Sequence, residues 1–591
     1  MTDYIFEQVY VETPVDTDED GYLDLILVHI KRPVTTEKVP VVYIANPYLM
    51  HCNEDWYDLY DVKKDLKVYE NQNISYEDIK YDFTCSKKVS PKFTRTSKAT
   101  VNSNPKEFYD DIECISSLYD RLLPLNYATV YSGGLGSKYS EGLTISGSRE
   151  EILAFKAVID WLNGKARAFT DLTGEVEVIP NWTTGKVAMS GKSYLGTMCM
   201  GVATTGVEGL ETIIPEAGIA SWYDYYRQNG LVSPAYEWNG DDLDILSKYC
   251  FSRALDEKDF PGIKERFEKS QLRLQEMEDR ESGNYNRFWD ERNYLNLIDQ
   301  MKCSALIIQG LADFNVKPTN ATKFFEAIEE KGLERKMLMH RGKHIYVYNL
   351  DNSPVFKTVV DWLDHYLKGV DNGINNSSKV IIEDDYDVNM WHKYDTWSKA
   401  SECIIGNLEA KEINFNDDPT KYTNDATWEN ELLFSKDNNA VRIYKDIEKD
   451  LVISGDINVE FEAAIDTDSA ILSAMLVDIG EENRVIPEID GDVEISFTFS
   501  KEETPSAYRI ISWGNMNAQN RDNNYSKCSI EKGKFYKYSL DLIPMDFTVK
   551  KGHKLLLVLY GYDPRQTLIP SSGFNGTIKL DSVNLKSHLA K

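Results

Sequence analysis

Three side chains carry the strongest chemical signal in this sequence: Ser193, Asp313 and His344, in that order along the chain. Residues 187–196 read VAMSGKSYLG, an apolar strand that runs through Gly191-Lys192 into Ser193 and on into a helix rich in small residues. A strand turning sharply into a helix at a serine lifts the Oγ above the edge of a sheet, and nearby glycines let the backbone pass closely. The usual spacing is G-x-S-x-G; here Leu195 takes the second glycine's place and Gly196 follows. The Gly-Lys-Ser string also invites comparison with a phosphate-binding loop. That loop needs a glycine at position 186, where Lys186 stands, so the comparison fails.

A serine needs a base to take its proton. The string SALIIQ-GLADFNV puts Asp313 just beyond an apolar strand, and KMLMH-RGKHIY puts His344 in the loop after the next one. Nucleophile first, acid after a later strand and base after the last one is the chain order of the α/β-hydrolase class. Other histidines fit worse: His340 would end the strand itself, His365 lies on a helix, His392 and His553 lie in a later β-rich region, and His29 and His51 precede the nucleophile. In this reading His344 takes the Ser193 proton, while Asp313 orients the imidazole and stabilises its charged form. The Tyr194 backbone N–H is one oxyanion donor. Tyr48, in IANPYLM after an early buried strand, is a candidate for the second through its hydroxyl.

These residues need a sheet to hold them. Tyr4 to Thr13 and Tyr22 to Arg32 read as a β-hairpin around the acidic turn DTDEDG. The turn resembles a calcium loop, but Leu27 stands where such a loop needs a bidentate glutamate, which favours a plain turn. VPVVYIAN (39–46) is a strand buried on both faces and YATVYS (127–132) is the next. Residues 51–110 read as loops and short helices over the body. Ser148 opens a helix with a capping box completed by Glu151. The polar stretch 241–300 reads as helical, part of a cap inserted over 230–300, and 355–367 form the closing helix. Strand–helix alternation implies a mostly parallel sheet covered by helices. Near residue 380 the period changes to two, as in INVEFEAAI, and short strands continue to the end, as in a jelly-roll sandwich. The expected architecture is therefore an α/β-hydrolase domain over 1–379, with the helical cap, followed by an all-β domain over 380–591.

Composition narrows the partners. The chain has 591 residues and a formal net charge of −30, with 36 Tyr and 8 scattered Cys. Such an acidic surface disfavours nucleic acid and suits solubility or a cationic substrate. The opening MTDYIFEQVYVET lacks the pattern of a signal peptide, and no apolar run is long enough to span a membrane. No CxxC pair or His/Cys/carboxylate cluster has ligand spacing, so neither metal nor cofactor is expected, and the thiols suit a reduced cytoplasmic setting.

Longer strings sharpen this. NPY (46–48), GKSYLGT (191–197), PEAGIASWYDYYRQNG (215–230), GLADFNVK (310–317), GKHIY (342–346) and GHKLLLVL (552–559) resemble the Xaa-Pro dipeptidyl-peptidases over nearly the whole chain. Many members carry a helical N-terminal domain ahead of the hairpin at which this sequence begins. The resemblance implies a serine peptidase that releases N-terminal Xaa-Pro dipeptides from peptides with a free amino terminus, with a homo-oligomer as an option. Such a site needs an apolar slot for the proline ring, for which Trp222 and Tyr225 are suitable, and an acid for the α-ammonium. Asp241 is the first choice for that acid, with Glu237 and Asp242 as alternatives; Asn315 suits the substrate's backbone carbonyl. The alternative within enzymes is an esterase or acylase like cocaine esterase and the α-amino-acid ester hydrolases. A catalytically dead binding protein on this scaffold is a third reading, against which the intact set of three residues argues.

Overall fold

The computed structural model describes residues 4–84, 89–106, 115–235, 238–397, 402–422 and 424–590. Strands β1 (Tyr4–Glu12) and β2 (Leu25–Pro33) form the N-terminal hairpin, in register from Tyr4 opposite Pro33 to Glu12 opposite Leu25. Its acidic turn draws on the chain's own donors. Asp24 accepts from the Thr17 N–H and hydroxyl, both at 2.8 Å, Asp16 accepts from the Gly21 N–H at 3.0 Å, and Asp18 pairs with Arg253 at 2.7 Å.

The hairpin joins one large twisted sheet. Its centre is a parallel run of β4 (Ala128–Ser132), β3 (Val39–Ala45), β5 (Thr183–Lys192), β6 (Leu210–Glu216), β7 (Ser304–Gly310), β8 (Arg335–His340) and β9 (Val380–Glu383), in that spatial order. Every residue of β3 and β7 is buried, as expected of strands covered on both faces. The cover comes from α1 (Arg149–Leu162), α2 (Tyr194–Ala203), α3 (Thr319–Glu330) and α4 (Val355–Lys368). The change of period near 380 coincides with β9 and an antiparallel edge strand, β10 (Trp391–Tyr394). Both still belong to the large sheet.

Between β6 and β7 the chain builds a small ribbon, Arg227–Gln228 against Leu231–Val232, and then helices Leu243–Cys250, Phe260–Met277 and Arg287–Glu291. This segment has an apolar cluster of its own, in which Phe251 stacks on Phe267 at 3.8 Å beside Ile263 and Leu143. Beyond β10 lies an all-β domain of antiparallel sheets, one of five strands, one of four and a two-stranded ribbon, Val485–Asp492 against Ser496–Lys501. The long strand Leu451–Ile465 buries Ile457, Val459, Phe461 and Ala463, and leaves Asn458, Glu460 and Glu462 half-buried between them. That alternation is what one inward face requires.

Candidate active site

Strand β5 ends at Lys192 and α2 begins at Tyr194, which leaves one residue to make the turn. Ser193 makes it with φ 62° and ψ −126°, a conformation that costs a non-glycine residue free energy and persists only where the surroundings impose it. Here its N–H is tied to the Glu216 carbonyl at 2.9 Å. The displaced glycine now has a physical account. A Cβ on Gly196 would lie 2.7 Å from the carbonyl oxygens of both Glu216 and Gly191, and one on Gly191 would lie 2.5 Å from Leu195 Cβ. The close approach of helix to sheet falls at 196, where a side chain cannot fit, and Leu195 is accommodated because Gly191 has none.

His344 Nδ1 lies 2.7 Å from Asp313 Oδ2. The other Asp313 oxygen accepts the backbone N–H groups of Asn315 and Val316 at 3.1 and 2.9 Å, so the buried carboxylate is fixed in the orientation an imidazole needs. The loop carrying His344 is fastened from two sides. Lys192 Nζ donates to the His344 carbonyl at 3.4 Å, and Glu216 Oε1 accepts the Val347 N–H at 3.0 Å. Burial pushes Glu216 up to about 8, opposed by the nearby Lys192 cation. From the all-β domain, Phe499 stacks on His340 and the Phe497 carbonyl accepts the Asp351 N–H. Arg341 reaches Asp385 at 2.9 Å and Asp546 at 3.1 Å. Sequence reasoning did not assign roles to Lys192 or Glu216, although both lie in the strings it quoted.

Tyr194 is the first residue of α2, and a helix's first N–H groups have no intrahelical acceptor. That leaves its amide available beside Ser193. Its hydroxyl donates to both Glu151 oxygens, at 2.8 and 3.0 Å. The helix cap expected at Ser148 forms by half: Ser148 Oγ accepts the Glu151 N–H at 3.2 Å, but the Glu151 carboxylate binds the Gly147 N–H at 2.6 Å instead of closing the box. Tertiary contact with Tyr194 has diverted it. Burial raises Glu151 to about 7. Tyr48 is half-buried, with its ring edge-on to Tyr194 at 5.8 Å and its N–H bonded to Asn46.

The substrate-binding candidates fall into two groups. Trp222 has no exposed surface: its indole donates to the Tyr294 hydroxyl at 3.0 Å and its ring packs against Tyr194, Tyr225 and Tyr226. It is therefore a core side chain with no surface to offer a ligand, because the helix Trp222–Tyr226 buries that face. Tyr225 donates to Asn315 Oδ1 at 2.8 Å. With its oxygen engaged, Asn315 has its amide N–H groups to offer, the polarity a substrate carbonyl requires.

The adjacent acids part company. Asp242 is bound bidentately by Arg227 at 2.8 and 2.9 Å and again by Arg280 at 2.9 Å, which commits it to the structure. Asp241 is only 4% exposed, and Tyr226 donates to its Oδ2 at 3.3 Å. The Tyr57 hydroxyl and the Asp242 N–H also approach the carboxylate, and its Oδ1 completes no hydrogen bond of good geometry. Burial first, and the charge of Asp242 second, hold it well above the usual carboxylate range. Glu237 lies outside the described residues. Two files of rings connect Asp241 with the serine turn. One runs through Tyr226 and Trp222 to Tyr194, the other through Tyr57, Tyr249 and Tyr48 to Tyr194. The abundance of tyrosine was the available signal for this lining, but its positions were not.

Sheet order, the strained serine and the bonded acid–imidazole pair together define a serine hydrolase of α/β-hydrolase fold. Similar solved structures agree on the architecture: a CocE/NonD family hydrolase from Staphylococcus aureus (TM-score 0.62, 15% identity, covering 99% of this chain and 96% of that one) and an α-amino acid ester hydrolase (0.60, 14%, 100% and 96%). Sequence goes further. Residues 20–346 match the family model for X-Pro dipeptidyl-peptidase (S15 family), and 372–589 match that for the X-Pro dipeptidyl-peptidase C-terminal non-catalytic domain. Xaa-Pro dipeptidyl-peptidases of Pediococcus pentosaceus and Lactiplantibacillus plantarum are each 34% identical, covering 99% of this chain and 77% of the relative. That of Streptococcus thermophilus is also 34% identical, covering 97% and 77%. The chain belongs to the S15 family of X-Pro dipeptidyl-peptidases.

Proposed function

We propose that this serine peptidase releases Xaa-Pro dipeptides by an acyl-enzyme route in which Ser193, His344 and Asp313 share the work. Ser193 Oγ attacks the prolyl carbonyl as His344 takes its proton. The tetrahedral oxyanion is met by the Tyr194 N–H and the Tyr48 hydroxyl. The C–N bond then breaks, and His344 returns the proton to the leaving amine. Water, deprotonated by the same imidazole, cleaves the ester and frees the dipeptide. In this reading Tyr225, backed by Trp222, sides the proline ring, and Asn315 donates to a substrate carbonyl.

Asp241 is the observation that carries the reading. A buried carboxylate with one unpartnered oxygen, inside a wall of tyrosines, is unfavourable in the free protein. A substrate ammonium supplies the missing partner and thereby measures two residues from the amino terminus. The test is a comparison of Gly-Pro-anilide, acetyl-Gly-Pro-anilide and a simple ester. The free-amine substrate is expected to react about 10- to 100-fold faster than the acetylated one, the worth of a charge-assisted contact. Equal rates, or a clear preference for the ester, would point to an esterase or acylase instead. No helix among the described residues is long and apolar enough to cross a membrane. We place the enzyme in the cytoplasm on its scattered cysteines, six of which form no disulfide among the described residues.

A further inference from the structure

A cavity of about 620 Å³ lies between the loops carrying Asp313 and His344 and the all-β domain. Asp313, Asn315 and His344 stand on one wall and Tyr508, Arg509 and Trp513 on the other, while Ser193, Tyr48, Tyr225 and Asp241 do not line it. Of the groups assigned above to the dipeptide, Asn315 alone reaches this cavity, and the others lie outside its lining. Its size is that of a site for a small ligand, roughly 300–1,000 Å³.

Chemistry says what belongs there. The imidazole of His344 must face the serine first and the departing amine afterwards. The chain attached to that amine therefore leaves along the His344 side. The cavity's apolar lining includes Phe314 on Trp513, with ring centroids 4.3 Å apart. Its cations are unequally engaged. Arg341 is held by Asp385 and Asp546, and Arg565 by Glu429 and Asp563. Arg509 has a long contact of 3.4 Å with Glu502, a carboxylate that also serves the Arg484 N–H and the Ser506 hydroxyl. Lys343 is exposed at the same cavity.

We propose that this cavity binds the part of the peptide that follows the proline, and that Arg509, aided by Lys343, receives the terminal carboxylate of short substrates. The proposal rests on the peptidase reading above and adds a second specificity, for what is left behind. Desolvation lowers the Arg509 pKa from its ordinary value, in keeping with a cation that an incoming carboxylate would stabilise. The all-β domain, described in the family as non-catalytic, then supplies one wall of the substrate site.

The test uses the full chain and three substrates: Gly-Pro-anilide, the tetrapeptide Gly-Pro-Phe-Ala as free acid, and the same peptide as C-terminal amide. In the wild type, kcat/KM for the acid should exceed that for the amide by about tenfold, the lower end for a charge-assisted contact at a partly exposed site. Arg509→Met should bring this ratio close to one, and Arg509→Lys should keep most of it. A purely structural role would lower all three substrates alike and leave the ratio where it was. An acid-to-amide ratio near one in the wild type, or one unchanged in Arg509→Met, overturns the proposal. If Arg509→Met does not fold, the wild-type ratio measured against salt decides: it should decline as NaCl is raised from about 0.05 to about 0.5 M, from weak to strong screening, and a salt-independent ratio counts against the proposal. Failure to cleave Gly-Pro-anilide would instead strike at the peptidase reading itself.

Discussion

Asp241→Asn is the change that tests the proposed recognition of the substrate amine apart from everything else in the site. The amide keeps the shape of the carboxylate and an oxygen for Tyr226 and Tyr57, and removes only the charge. In the free enzyme, burial and the neighbouring Asp242 already hold Asp241 well above the usual carboxylate range. Binding an ammonium must therefore ionise it as well as pair it. Two unit charges about 4 Å apart attract by about 4 kcal/mol at an effective dielectric of about 20. Part of that is spent on ionisation, which leaves a net contribution within the ~1.5–3 kcal/mol of a charge-assisted bond. At the upper part of that range Asp241→Asn should lose about 100-fold in kcat/KM on Gly-Pro-anilide. Acetyl-Gly-Pro-anilide, which has no ammonium, should lose little.

The same carboxyl predicts a pH signature and a stability signature. Because its folded pKa is raised above that of an ordinary aspartate, the folded protein retains a proton that the unfolded chain has released. The Asp241 contribution to stability therefore declines as pH rises from the unfolded to the folded pKa. Asn has no such penalty, so Asp241→Asn should melt at or above the wild type at pH 7. In the wild type, kcat/KM for the free amine should fall as pH drops through the raised Asp241 pKa, and this limb should vanish in the variant. Steady-state kinetics on both anilides across pH, with thermal melts, measure all of this. An equal loss on free and acetylated substrates, or a lower melting temperature with no change in discrimination, would refute Asp241 as the anchor.

Other outcomes follow from the same geometry. Ser193→Ala, Asp313→Asn and His344→Ala should each lower kcat by several orders of magnitude in a folded protein, and double changes should add little, because the three act as a unit; burst kinetics and melts check this. Tyr48→Phe should cost about 100-fold in kcat with little change in KM if its hydroxyl meets the oxyanion; an unchanged kcat returns Tyr48 to the pocket wall. Gly196→Ala places a Cβ 2.7 Å from two backbone oxygens, and should destabilise the fold by about 1–3 kcal/mol and disturb the serine turn, seen as a lower denaturant midpoint with lower kcat. A serine-directed organophosphonate should abolish activity while EDTA leaves it intact; strong inhibition by EDTA, reversed by an added metal, would refute the metal-free mechanism.

Much of the molecule was legible in the sequence because the signals are local. Strands β3 and β7 announce themselves as unbroken apolar runs, and Leu451–Ile465 as an alternation, since burial on two faces or one dictates those patterns. Ser193, Asp313 and His344 follow from residue type and place at strand ends, which chain order alone can supply. What the sequence could not decide is where side chains equal in type end up. Asp241 and Asp242 are neighbours of identical chemistry. Only the folding of Arg227 and Arg280 onto Asp242 makes one an internal ion pair and leaves the other with an unpartnered oxygen. Glu151 has the spacing of a capping residue, yet Tyr194, 43 positions away in the chain, captures its carboxylate. Trp222 has the composition of a pocket wall, but the packing of its helix hides it. The cavity beyond His344 exists only because an all-β domain some 150 or more residues downstream folds back against the catalytic loops. Local pattern fixes which face of a strand is buried and which residue ends it, because those depend on near neighbours. Which charges meet, and which oxygens are left without a hydrogen bond, depends on contacts between distant segments that only the closed tertiary structure creates.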